Sequence, residues 1–180
     1  MTRPASHFAL IAALAAVLLA GGILPASAAE SPALLGTFKD WSAYSVGTGD
    51  ARTCYALARP KSTDPKTVKR GAVFFLISDW PARKVKAETE VVPGYKYKDD
   101  SKVTVQVGSD KFTFFTQNDG ADGSAWVEDL AAEPRLVEAM RRGAEMFVTG
   151  TSSRGTLTRD TYSLGGISGA LDKAHATCGL

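Results

Sequence analysis

Alternation of apolar and polar residues at every second position dominates the chain. Lys102-Val103-Thr104-Val105-Gln106-Val107 puts three valines on one face, and Lys111-Phe112-Thr113-Phe114 repeats the pattern after Gly108-Ser109-Asp110. Two such runs across a short glycine-containing break predict a β-hairpin. Ala72 to Ile77 is instead a continuous apolar run, too short for a helix and flanked by Gly71 and Ser78-Asp79-Trp80-Pro81. It suits a central strand covered on both faces. Weaker strand patterns cover Phe38 to Tyr44, Thr53 to Ala58, Ala87 to Val92, Ala125 to Glu128, Met146 to Thr149 and Thr156 to Leu164.

Helical periodicity occurs twice. Glu133-Pro134 opens the first helix, Leu136, Val137 and Met140 share a face, Arg141 and Arg142 oppose the dipole in the last turn, and Gly143 ends it. The second runs from about Ile167 to Cys178, with Ile167, Leu171, Ala174 and Cys178 on one stripe and Asp172, Lys173 and Ala176 facing outward. Residues 29–36 read as a loose leader, and Pro60 to Arg70, with prolines and a basic excess, as an exposed loop. The fold expected over residues 37–180 is therefore a single all-β domain with two short helices, a sandwich or open barrel.

Composition narrows the class without naming it. The 180 residues are 44% apolar and 22% charged, and a net charge of +2 provides no field to hold a polyanion, which argues against nucleic acid as partner. Arg3 and His7 precede an uncharged stretch from Phe8 to Leu24, and Pro25-Ala26-Ser27-Ala28 follows with the small residues a signal peptidase reads. Residues 1–28 are thus expected to be a secretory signal peptide cleaved near Ala28, and nothing after it is apolar enough over 18 residues to span a membrane. The expected location is periplasmic or secreted.

Export changes the reading of the two cysteines. In an oxidising compartment Cys54 and Cys178 are expected to pair, tying the C-terminal helix to a strand near the start of the domain. In the chain-entropy model a loop of this length constrains the unfolded state by about 5 kcal/mol.

Catalytic residue types are scarce. His175 is the only histidine after residue 28 and lies beside the apolar stripe of the last helix, where packing is the better account. Gly166-Ile167-Ser168-Gly169-Ala170 has the wrong spacing for a nucleophile elbow, and Glu128 and Asp129, as strand neighbours, point to opposite faces. Asn118 to Asp129 faintly resembles a calcium loop, but Gly120 at position 3 and the short Asp129 at position 12 favour a polar turn. No enzyme activity, cofactor or metal is expected.

Thr151-Ser152-Ser153-Arg154-Gly155-Thr156 is a tight corner between two strands that pushes Arg154 into solvent, with Gly155 supplying a positive φ. An exposed arginine there is suited to a carboxylate, phosphate or sulfate on a partner, although it also simply keeps a strand edge soluble. Asp160, farther along the second strand, is one candidate local ion-pair partner, and such a pair would make the role of Arg154 structural and small. Tyr95 and Trp126 complete the candidate binding residues with Arg154 and Gly155.

Several stretches, taken in order, carry a resemblance: Gly36-Thr37-Phe38-Lys39-Asp40-Trp41, Cys54, Gly94-Tyr95, Ala125-Trp126, Leu136-Val137-Glu138-Ala139-Met140 with Gly143, Thr151 to Thr156, and Thr161 to Leu171 with Cys178. Together they resemble the invasion-associated locus B family of exported bacterial proteins. The resemblance implies a periplasmic or secreted protein, in alphaproteobacteria above all, with some members linked to entry into host cells. It implies no established reaction, cofactor or catalytic residue. Many members carry a further cysteine soon after the Asp-Trp pair, whereas Tyr44 and Ser45 stand there in this chain. The function expected is a non-enzymatic module binding an unidentified envelope or host protein. A small-ligand or glycan-binding domain is the alternative, and a carboxylate-dependent hydrolase a weaker one.

Overall fold

The computed structural model describes residues 30–180, so the expected signal peptide lies outside the described residues. In chain order the elements are β1 (Ala33–Phe38), β2 (Trp41–Val46), β3 (Thr53–Ala58), β4 (Ser62–Asp64), β5 (Phe74–Trp80), β6 (Val85–Val92), β7 (Lys102–Val107), β8 (Asp110–Asp119), β9 (Asp122–Val127), α1 (Glu133–Arg142), β10 (Glu145–Thr151), β11 (Leu157–Ser163) and α2 (Ile167–Cys178). The strands form one continuous sheet in the order β1-β2-β3-β5-β6-β9-β8-β7-β10-β11-β4. Every pairing in it is antiparallel.

The sheet curls on itself. Phe75 of β5 and Tyr162 of β11 are six strand positions apart, about 28 Å on a flat sheet. Their ring centroids are nevertheless 6.0 Å apart. Trp41 of β2 donates its indole N–H to the Ser163 carbonyl at 2.9 Å, and the Asp40 amide donates to Gly165, which joins the two ends of the sheet along one side. Of the two expected architectures this is the open barrel. Inward positions alternate along β6 to β11, and Trp41, Phe75, Phe114 and Tyr162 meet edge-to-face in the middle.

Both helices lie where their periodicity put them. Leu136 and Met140 of α1 are fully buried, as are Ile167, Leu171 and Ala174 of α2. Cys178 faces inward and is bonded to Cys54 of β3, so the C-terminal helix is stapled across β2 and β3.

Two loop assignments need correction. The segment read as a loose leader contains β1, which pairs with β2 through a turn at Lys39-Asp40, and the single strand expected over Phe38 to Tyr44 is really the bend of that hairpin. A register shift between Leu34 and Gly36 breaks the alternation that would have revealed it. The stretch from Pro60 to Arg70 is not a free loop either: Ser62–Asp64 pair with Thr161, Asp160 and Arg159 of β11, and the Arg70 side chain is buried.

Candidate functional site

The corner between β10 and β11 is built as its sequence suggested. Gly155 adopts φ +80°, its amide donates to the Ser152 carbonyl, and the Thr156 amide donates to Ser152 Oγ. These bonds stiffen the turn and leave the Arg154 side chain exposed. The segment from Gly94 to Lys98 runs alongside: Ser153 N–H donates to the Lys96 carbonyl at 2.7 Å and Lys98 N–H to Thr151 at 2.9 Å. Asn118 holds the same segment from the other side, its Oδ1 accepting from the Tyr97 amide and its Nδ2 donating to the Tyr97 carbonyl. Asn118 thus serves as a side-chain substitute for a strand partner at the polar turn expected there.

A third wall comes from the strap between β4 and β5. Arg70 makes a bidentate contact with Asp160, 2.7 and 2.6 Å, and its Nε donates to the Pro93 carbonyl at 2.9 Å. Both side chains are about 95% buried or more. Burial is the largest influence on Arg70 and opposes its charge, but the hydrogen bonds and negative charge of Asp160, with Tyr95 and Tyr162, together outweigh it and hold the guanidinium above its ordinary pKa. Tyr95 lies over the Arg70 guanidinium and shares a 2.6 Å hydrogen bond with Thr158. Burial pushes its hydroxyl pKa up. Asp160 is therefore not the local partner of Arg154 that the sequence left open: on β11 it points inward with Thr158 and Tyr162, while Arg154 sits beyond the strand at the tip.

The three walls enclose a groove of about 640 Å³ lined by Thr67, Val68, Lys69, Gly94, Tyr95, Lys96, Ala121, Ser152, Ser153, Arg154 and Thr156. Lys69, Lys96 and Arg154 line it without any carboxylate, and none of the three makes an ion pair among the described residues. Tyr95 and Arg154 are thus brought together, with Gly155 shaping the turn. Trp126 is not: it lies half-buried on the outer face of β9 against Phe115, ring centroids 5.8 Å apart. Sequence reasoning missed Lys69, Lys96 and the buried role of Arg70. The basic excess before Arg70 was a visible signal, but it looked like an ordinary solvated loop.

A second cavity, about 470 Å³, lies between α1, α2 and β6 and is lined by Lys86, Ala87, Glu133, Pro134, Val137, Glu138, Arg141, Asp172 and His175. His175 Nδ1 is 2.6 Å from Asp79 Oδ2, and Asp79 Oδ1 accepts from the Ala87 amide, where Ala87 takes φ +61° at a bulge of β6. Asp79 faces Cys54 across β3 and β5, so this pair and the disulfide seat α2 together. The lining contains no serine, threonine or cysteine to act as a nucleophile beside the histidine. Glu133 accepts from the Thr89 amide and hydroxyl, while burial raises its pKa. Among the described residues no three His, Cys, Asp or Glu side chains converge as a metal site, and no helix is long and apolar enough to cross a membrane.

Fold and groove together define a disulfide-stapled, curled antiparallel β domain with a basic groove at one end. The family model described as Invasion associated locus B (IalB) protein matches residues 41–175, and the chain belongs to that family. Among solved structures it is similar to the crystal structure of invasion associated protein b from Bartonella henselae, with 16% identity, a TM-score of 0.55, and 81% of this chain and 98% of that chain covered. At that identity the likeness concerns the fold. No curated protein sequence matches the chain.

Proposed function

We propose that this chain is an exported periplasmic or envelope-associated protein, freed of residues 1–28, that acts as a non-enzymatic interaction module through the groove beside Arg154. The observation that carries the reading is the convergence of Lys69, Lys96 and Arg154, without ion-pair partners among the described residues, around a groove lined by no carboxylate. Three uncompensated cations on walls held by backbone hydrogen bonds attract an anionic surface and contribute little to folding. The family's description as invasion associated supports extending this proposal to a contribution to host-cell invasion where a host exists.

The test is crosslinking capture from an envelope extract by residues 29–180, with the unsubstituted domain and Arg154→Ala side by side. Capture that depends on Arg154 and weakens with salt supports the reading. Capture indifferent to both places the contact elsewhere and overturns it.

A further inference from the structure

We infer that the groove takes a phosphate- or sulfate-bearing saccharide, with the oxyanion held by Lys69, Lys96 and Arg154. The inference rests on the reading of the groove as the contact site and names its ligand chemistry. Charge is the first ground, because three cations with no lining carboxylate select an anion and reject a neutral or cationic ligand.

The second ground is what surrounds those charges. Thr67, Ser153 and Thr156 bring hydroxyl groups that both donate and accept, as sugar hydroxyls require, and the Tyr95 ring adds an apolar wall whose position is fixed by Thr158 and Arg70. The volume of about 640 Å³ lies within the range of small-ligand sites and far exceeds a free oxyanion.

An acidic peptide fits less well. Peptides bind sheets mainly by adding a strand or by seating apolar side chains in pockets. Here the flanking backbone is already paired, Ser153 to Lys96, Lys98 to Thr151, Ser152 to Thr156 and Gly71 to Gly94. Val68 and Ala121 are the only aliphatic side chains in the lining.

Isothermal titration of residues 29–180, with amide NMR shifts to locate binding, tests the inference. The probes are a hexosamine disaccharide monophosphate, its monosulfate, the unmodified disaccharide, inorganic phosphate and a hexa-aspartate peptide. The expected result is binding of the phosphate or sulfate ester at least tenfold tighter than the unmodified disaccharide, inorganic phosphate or the peptide, with shifts at Lys96, Ser153 and Arg154. Comparing the two esters identifies the preferred oxyanion.

Lys69→Gln and Lys96→Gln should each weaken the better ester by roughly tenfold or more, as loss of a charge-assisted hydrogen bond does. Lys102→Gln, outside the groove, should leave it unchanged, and amide spectra of the free variants verify their folding. Equal or tighter binding of hexa-aspartate, or no gain over inorganic phosphate, overturns the saccharide assignment. Such a result would leave Arg154-dependent capture intact, so it is distinguishable from failure of the interaction reading itself.

Discussion

Replacing Arg70 by methionine removes one half of a buried ion pair and leaves the Asp160 carboxylate, 3% exposed, without its two short hydrogen bonds. Breaking a buried pair from one side costs about 3–5 kcal/mol, because the remaining charge stays desolvated. The Pro93 carbonyl also loses its donor, roughly 1 kcal/mol more. For a domain of this size each kcal/mol lowers Tm by about 2–4 °C, so the combined loss of about 4–6 kcal/mol for Arg70→Met should lower it by roughly 8–24 °C.

The double variant Arg70→Met, Asp160→Leu is the informative control. Replacing both charges with apolar groups should recover most of the loss, since the cost lies in the orphaned carboxylate and not in the missing attraction. Thermal and urea unfolding followed by circular dichroism measure both variants. The deficit of the single variant should persist between low and high salt, because buried charges are poorly screened. A loss below 1 kcal/mol, or a double variant no more stable than the single one, would refute the argument.

Arg154→Ala should change unfolding free energy by less than about 0.5 kcal/mol while abolishing groove-dependent capture; a large stability loss would mean the side chain is buried. Gly166→Ala should destabilise by more than about 2 kcal/mol, because Gly166 has φ +99° and a Cβ there would lie 1.8 Å from the Phe38 carbonyl oxygen; urea titration reads this directly. Glu90 has its pKa raised, mainly by burial and against the Ser124 hydrogen bond, so the folded state holds its proton at higher pH than the unfolded chain. Its contribution to stability therefore falls as pH rises from the unfolded value through the folded one. Glu90→Gln should consequently stabilise the domain at pH 7, and the gain should shrink as pH drops through that window, as a pH series of unfolding curves would show. Reduction of the Cys54–Cys178 bond should cost about 2–5 kcal/mol, measured by denaturation with and without reductant.

What was legible in the chain was local. The β7–β8 hairpin follows from Val103, Val105 and Val107 facing Phe112 and Phe114, and the α2 stripe placed Cys178 inward before any partner was known. Disulfide pairing followed from there being only two cysteines. β1 was hidden because its bulge at Leu34 to Gly36 breaks the period, and β4 because three residues between prolines carry no period at all. Of the groove, Arg154, Gly155 and Tyr95 stood out through turn chemistry and aromatic character. Lys69 and Lys96 did not, since a lysine near a loop is ordinary until a third chain segment closes the space around it. Arg70 and Asp160 lie 90 positions apart, and no local pattern links them.

The place of β4 in the sheet sets an order in time. Its only sheet neighbour among the described residues is β11, so this short strand must wait for nearly the last strand of the sheet before it has a partner. Closing so long a loop is slow, and it is rewarded by the β4–β11 pairing and by the contact of Arg70 with Asp160. A nascent chain can form the β7–β8 hairpin soon after making it, yet has no groove at all. The groove is therefore a late product of folding, acquired in the same event that brings β11 home.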